Sequence, residues 1–363
     1  MRILAIILGV ALVSTVMLSA VKTVILPRNA QTAITRRLFR SVFGVLRRVA
    51  HFSPSSSQES VLALVAPIGL ILLPMVWVFL IMHGFALMFW GSSTIDFSSA
   101  VALSGSSITT LGFIPAIGEV HQALSFIEAI IGLVIIALLI TFLPSLYTAF
   151  VQRETAVTKL EVRAGNPPSA VEFLIRHSRI GWLDNMDPYW LAWEQWFAEI
   201  EESHTTFPML TLFRSPSPDR SWITAAGTVL DAASLTQAAL PEHSSGASAV
   251  SIRAGFFALR AIARIFRIEF DPDPSPDDPI AVSRSEFDAA LTALQEAGLP
   301  ITDDWDQAWT DFAGWRVNYD TVLLTLAEIT AAPAAPWVSD RSAPSHKSPF
   351  LKKRKKAKGR APS

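Results

Sequence analysis

Three long apolar runs, all within the first 151 residues, constrain this chain most. Ile3 to Leu26 carries one charge, Lys22; Val61 to Trp90 carries none; Val120 to Phe150 carries one, Glu128. Each exceeds the roughly 20 residues needed to cross the hydrocarbon core of a bilayer. In lipid every backbone polar group must be satisfied within its own segment, so such runs are expected to fold as helices. Composition agrees: only 17% of residues are charged and 51% are hydrophobic, against about 25% charged in a soluble domain. The absence of cysteine excludes disulfides, thiolate zinc sites and cysteine nucleophiles. A net charge of -1 gives no case for nucleic acid as a partner.

The first run can be read in two ways. Met1-Arg2 and Leu18-Ser19-Ala20 suit a cleaved signal peptide. The run stays apolar to Leu26, however, past a signal core of about 7 to 15 residues. Residues 1–26 are therefore expected to be a first transmembrane helix. The linker that follows, 27–60, carries Arg28, Arg36, Arg37, Arg40, Arg47 and Arg48 against a single acid, Glu59. The positive-inside rule places it in the cytoplasm. Leu38, Val42, Val45, Leu46 and Val49 recur there at helical spacing between the arginines. They predict an amphipathic helix on anionic lipid at the inner face, or a solvated connector helix.

Residues 61–151 form the next block, with spans 61–90 and 120–151 around a loop at 92–116. Pro67 and Pro74 interrupt the first of these spans, and Trp77 and Trp90 suit its two interfacial zones. His83 is expected to hydrogen-bond between helices. Asp96 to Ile108 predicts a short helix capped by Thr94 or Asp96. The stretch Ser104 to Pro115, SGSSITTLGFIP, is too polar and broken to span. Non-helical backbone at membrane depth is tolerated only where protein buries it or where it lines a wet cavity.

That stretch carries the chemistry of an ion filter, which replaces an ion's hydration shell with rings of carbonyl oxygens. Alternating left-handed conformations aim successive carbonyls at one axis, and glycine adopts them at least cost. Thr109, Thr110, Leu111, Gly112 and Phe113 are the filter candidates, with Phe113 expected to brace the wall. The short helix would turn its negative C-terminal end toward a cation. Glu128 lies two turns inside the third run, where an ionisable residue is a functional suspect. It is assigned as pore support, hydrogen-bonded to the back of the loop. Gly132 is the hinge candidate, and Pro144 could kink the span.

Residues 152–332 read as an ordinary helical domain. Helices are expected over Tyr189 to His204, Trp222 to Ala239 (capped by Asp219 or Ser221), Ser248 to Phe270, Arg284 to Ala297 and Asp304 to Thr330. In the fourth, Ser283 and Glu286 make a capping box and Gly298 closes the helix. Residues 333–363 are rich in Pro, Ala, Ser and Lys and are expected to be a disordered basic tail, with Lys352 to Lys356 either a second contact for anionic lipid or a solvated run that aids solubility.

Thr109-Thr110-Leu111-Gly112-Phe113 resembles the T-T-V-G-Y core of potassium-channel pore loops. The order of span, short helix, loop and span resembles the two-span pore module of prokaryotic potassium channels. Further stretches resemble an uncharacterised, mainly actinobacterial family of predicted channel-like membrane proteins. They are Val101 to Ser107, Leu160 to Glu172, Glu202-Ser203-His204, Phe213 to Asp231 and Phe312 to Thr321. The first resemblance implies a homo-oligomer, by analogy a tetramer, that passes a monovalent cation. The second assigns a family without an activity. Ile114 and Pro115 depart from the potassium pattern, which has glycine and then usually aspartate there. A β-branched residue disfavours positive φ, and the following proline holds Ile114 extended.

Enzymatic readings are weak, and no cofactor is expected. Glu201 and His204 have the spacing of a carboxylate-histidine metal motif but lack a second copy. Asp273, Asp277 and Asp278 lack the glycine and closing glutamate of a calcium loop. No phosphate-binding glycine motif is present. Arg214 and Arg220 are candidates for an anion or partner contact, or for internal ion pairs.

The sequence thus predicts an all-α integral membrane protein with three transmembrane helices, a re-entrant pore loop and a helical cytoplasmic domain. It would be a multi-pass protein of the plasma membrane. The expected function is passive cation conduction gated by the cytoplasmic domain. The alternative is a non-conducting receptor or scaffold with a degenerate pore.

Overall fold

A computed structural model describes residues 1–24, 33–52, 61 and 64–342. The described residues are helical, with no strand. Three of the helices are long and apolar enough to cross a membrane. The chain divides into two compact units, Met1–Phe150 and Val151–Ser363.

The first unit contains α1 (Arg2–Val24), α2 (Ala33–Phe52), α3 (Val65–Ser92) and α4 (Phe97–Ile108). It also contains most of α5 (Glu119–Ala164), which ends in the second unit. Helices α1 and α3 run antiparallel in close contact. A Cβ on Gly84 would strike Val13, and one on Gly91 would strike the Arg2 carbonyl and Ile6. Small residues let helix backbones approach in this way where burial from water gives little drive. Helix α2 meets the opposite end of α3, with the Phe39 ring over Gly69. The Thr23 and Thr35 hydroxyls join α1 to α2 at 3.1 Å. The α2 apolar stripe is only half used: Val42 is buried, whereas Val45 and Val49 are exposed. Parts of the 27–60 linker and most of the 333–363 tail, including Arg28 and Lys352 to Lys356, lie outside the described residues.

Asp96 caps α4, accepting the Ser99 N–H at 3.1 Å and the Ser99 hydroxyl at 2.7 Å. The Ser98 hydroxyl, then Ser99, hold its carboxyl well below the usual range. The third long helix differs from expectation at its end. It does not stop at residue 151 but runs unbroken through Pro144 to Ala164. Charges end an apolar run without ending a helix. Here the stop is Gly165, at φ +83°, whose N–H returns to the Glu161 carbonyl.

The second unit contains α6 (Ala170–Arg179), α7 (Asp187–Thr206), α8 (Trp222–Ala239) and α9 (Gly246–Phe266). Helices α10 (Arg284–Glu296), α11 (Trp305–Arg316) and α12 (Asp320–Thr330) complete it. Helix α8 is buried almost throughout and the others wrap it. Ser221 caps α8, and Ser283 and Glu286 form the capping box of α10. Helix α9 begins at Gly246 and ends at Phe266, short of Phe270, because Arg267 takes a left-handed φ of +55°. Arg260 on α9 donates to the Pro272 carbonyl at 2.8 Å and so holds the proline-rich acidic loop.

The predicted helix Asp304 to Thr330 is two helices. The Asn318 carbonyl accepts Arg260 Nε at 2.9 Å, and Tyr319 leaves helical geometry at φ -129°. The Asn318 side-chain amide also donates to the Gly314 carbonyl at 3.0 Å, so the break combines a long-range contact with a local one. Helix α6 was not anticipated, although Ser169 caps it and Glu172 stands at the capping-box position.

Candidate functional site

The loop after α4 is built by one helix-ending motif. Thr109 is the last residue with helical geometry, at φ -83° and ψ -2°. Thr110 then takes φ +58°, a conformation normally left to glycine at this position. Its N–H donates to the Ser107 carbonyl at 3.0 Å, and the Leu111 N–H donates to the Ser106 carbonyl at 3.0 Å. Gly112, at φ +65°, adds its own N–H to the Ser106 carbonyl at 3.2 Å. The Ile114 N–H completes the set on the Ser106 hydroxyl oxygen at 3.1 Å.

The positions of the carbonyls follow from these bonds. The peptide bonds of this loop are trans, so each C=O points opposite to the next residue's N–H. With the N–H groups of residues 110, 111, 112 and 114 turned back to α4, the carbonyls of Thr109, Thr110, Leu111 and Phe113 face away from it. No described hydrogen bond ends on the carbonyls of residues 109–113. The negative end of the α4 dipole lies behind them. Four carbonyl oxygens at a helix C-terminus are thus left without a described hydrogen bond. Positive φ alternates along the loop, at Thr110 and Gly112 but not at Leu111, Phe113 or Ile114. The Thr109 hydroxyl donates to the Gly105 carbonyl at 2.6 Å. All five filter candidates are exposed. Phe113, expected to brace a wall, is 66% exposed and braces nothing within one chain.

Behind the loop, α4 is tied to its neighbours by hydroxyls. The buried Ser104 hydroxyl lies 2.7 Å from the Met82 carbonyl on α3 and 2.5 Å from Glu128 Oε1 on α5. The Ser107 hydroxyl meets that of Ser125. Glu128 is fully buried, and its Oε2 has no partner among the described residues. Gly132 is a seat rather than a visible hinge: a Cβ there would strike the Ile108 carbonyl, and α5 passes through it unbroken. His121 on α5 lies 3.1 Å from the Ser92 hydroxyl and packs edge-on to Phe89. His83 bonds its own helix at the Phe79 carbonyl, 2.8 Å away, rather than a neighbour.

The remaining candidates lie in the second unit. Arg220 pairs with Glu161 and reaches the Thr158 hydroxyl at 3.1 Å. Arg214 donates to the Ala331 carbonyl, with Thr330 adjacent. Both guanidiniums therefore join elements of the fold. His204 does not share a metal site with Glu201. Its ring is buried, with Nε2 at 3.4 Å from Arg153 and Nδ1 at 3.1 Å from the Ile200 carbonyl. Burial, then the Arg153 charge, keep it neutral well below the usual histidine range. Asp271 and Asp278 accept backbone N–H groups of their own loop. No cluster of three or more metal-ligating side chains occurs among the described residues.

Sequence reasoning missed Ser104, Ser106, Ser107 and Ser125. Their signal was serine at successive helical positions next to a filter-like turn. Comparison of the chain with protein-family models, with curated proteins and with solved structures finds no match.

Proposed function

We propose that this protein is a multi-pass plasma-membrane protein that passes monovalent cations through an oligomeric pore lined by Thr109 to Phe113. The observation that carries this reading is the return of four loop N–H groups, those of Thr110, Leu111, Gly112 and Ile114, to α4, which leaves four carbonyls facing away from it. Carbonyl rings are how a protein replaces the hydration shell of a cation. One chain supplies one strand of such a ring, so several copies must surround an axis, four by analogy with the potassium-channel module that the loop resembles. The exposure of Leu111 (70%), Phe113 (66%) and Ile117 (82%) fits a surface that neighbouring copies complete. The loop re-enters the membrane from outside, and residues 152–332 form a cytoplasmic domain that gates the pore through the unbroken helix α5. The exposed Val45 and Val49, with the arginines of α2, contact anionic lipid at the inner face.

Reconstitution in liposomes tests the reading. Potassium or sodium flux that Gly112→Val abolishes in an intact oligomer is the expected result. Gly112 has open space around it in a single chain, but its positive φ disfavours any β-branched residue. Equal flux from both proteins would overturn the assignment.

A second reading is favoured by Ile114 and Pro115, which stand where a potassium filter continues with glycine. It is a non-conducting receptor or scaffold whose second unit binds a partner. Absence of flux from a confirmed oligomer, with either ion and at several pH values, would select it.

A further inference from the structure

Two groups of one residue, Ser106, hold three of the four N–H groups that orient the loop. Its carbonyl takes Leu111 and Gly112, and its hydroxyl takes Ile114. Ser106 is buried, 1% exposed, on the inner side of α4. The backbone half of this clamp survives any substitution, but the hydroxyl half depends on the side chain. Among the described residues the hydroxyl contact is also the only hydrogen bond to α4 from beyond Phe113, whose own N–H is not returned to α4. Without it, the peptide between Phe113 and Ile114 loses its tie. The Phe113 carbonyl is then free to rotate away from the face shared with Thr109, Thr110 and Leu111.

We propose that Ser106 is the positioning residue of the loop, and that its hydroxyl sets the outermost carbonyl layer at Phe113. This rests on the pore reading above for its functional consequence, but not for its structural one. It also assigns a task that glycine performs by conformation elsewhere. Ile114 cannot follow the left-handed route, since a β-branched residue before a proline stays extended. A hydroxyl acceptor on α4 therefore orients the peptide that precedes it.

The test uses the full chain in detergent and in liposomes, comparing wild type with Ser106→Ala and Ser106→Thr. Alanine removes one oxygen from a small residue and keeps the helix; threonine restores the hydroxyl. Residue-resolved amide hydrogen exchange should show Ile114 exchanging roughly tenfold faster in S106A, as expected for one lost hydrogen bond. Leu111 and Gly112 should be unchanged, and S106T should exchange like wild type. In liposomes, S106A oligomers should lose about tenfold in flux or shift their potassium-to-sodium ratio, with S106T rescuing both. Unchanged Ile114 exchange in S106A would overturn the clamp, whatever the flux. Faster Ile114 exchange combined with wild-type flux equal to that of G112V would keep the clamp and overturn the pore. Faster exchange with flux and ion ratio unaltered in a conducting protein would overturn the claim that this layer matters for conduction.

Discussion

Glu128 and Asp231 are both fully buried carboxyl groups, one in each unit, and they are stabilised by different means. Asp231 is paired with Arg316, accepts the Tyr319 hydroxyl at 2.9 Å and belongs to a closed network. Arg316 also holds Asp320 at 2.8 Å and the Trp337 carbonyl at 2.6 Å. Glu128 has one hydroxyl neighbour, Ser104, and no ion pair among the described residues. The contrast extends beyond these two. Buried polar side chains behind the loop are serines, one histidine and one glutamate, whereas the second unit buries Arg153, Arg260, Arg316, Asp231 and Asp320. The second unit buries its charges in compensating sets, since a buried charge without a partner is costly. Helices apolar enough to cross a membrane hold together through small residues and hydroxyls instead.

The largest effect is expected where a charge would lose its partner. Asp231→Asn leaves Arg316 buried with Asp320 alone and should cost about 3 kcal/mol of unfolding free energy in denaturant titrations. A cost below about 0.5 kcal/mol would remove the distinction between the units. Glu128→Ala should cost less, about 2 kcal/mol, from the cavity and the lost hydroxyl contact. Glu128→Gln, which keeps a hydrogen-bonding group of similar size, should stay within about 1 kcal/mol. A glutamine as damaging as alanine would show that the charge, not the contact, is what the site needs.

Ser107→Ala should cost about 1 kcal/mol through the loss of a hydroxyl that meets Ser125 and the Leu103 carbonyl. The smallest effect belongs to the surface of the second unit. Arg341, at 2.8 Å from Glu286, holds that carboxyl down at about 2 from its ordinary 4.5. The folded value is lower than the unfolded one. The pair's contribution is therefore full above about pH 4.5 and is lost as pH falls toward 2. The pair is partly solvated, so the loss should be under about 1 kcal/mol and should vanish in Glu286→Gln.

Legibility followed the range of the interactions. The caps Asp96, Ser221 and Ser283 were readable because an N-cap is a contact within three residues. The third long helix ran past its predicted end because an apolar run marks where lipid is suited, and Gly165 marks where a helix stops. The break at Asn318 is only partly local: its side-chain amide donates to the Gly314 and Trp315 carbonyls, while Arg260, 58 residues away, donates to the Asn318 carbonyl. For the loop, the residue types Thr109, Thr110 and Gly112 were legible as filter chemistry; its short-range N–H bonds were not, because the helix-ending positive φ falls on Thr110 where glycine would have announced it.

Sequence alone determined that this chain has three helices able to cross a membrane, a filter-like turn between the second and third, and a separate helical unit after them. Those properties depend on hydropathy, length and local backbone preference, which are written residue by residue. Only the tertiary structure decided that Ser104 on α4 meets the Met82 carbonyl on α3 and Glu128 on α5. It also decided that Gly132 is a seat for Ile108 and that Arg214, Arg220 and His204 are committed within the fold. Each of these depends on which surfaces meet, and that is set by the packing of whole helices rather than by any one stretch of sequence.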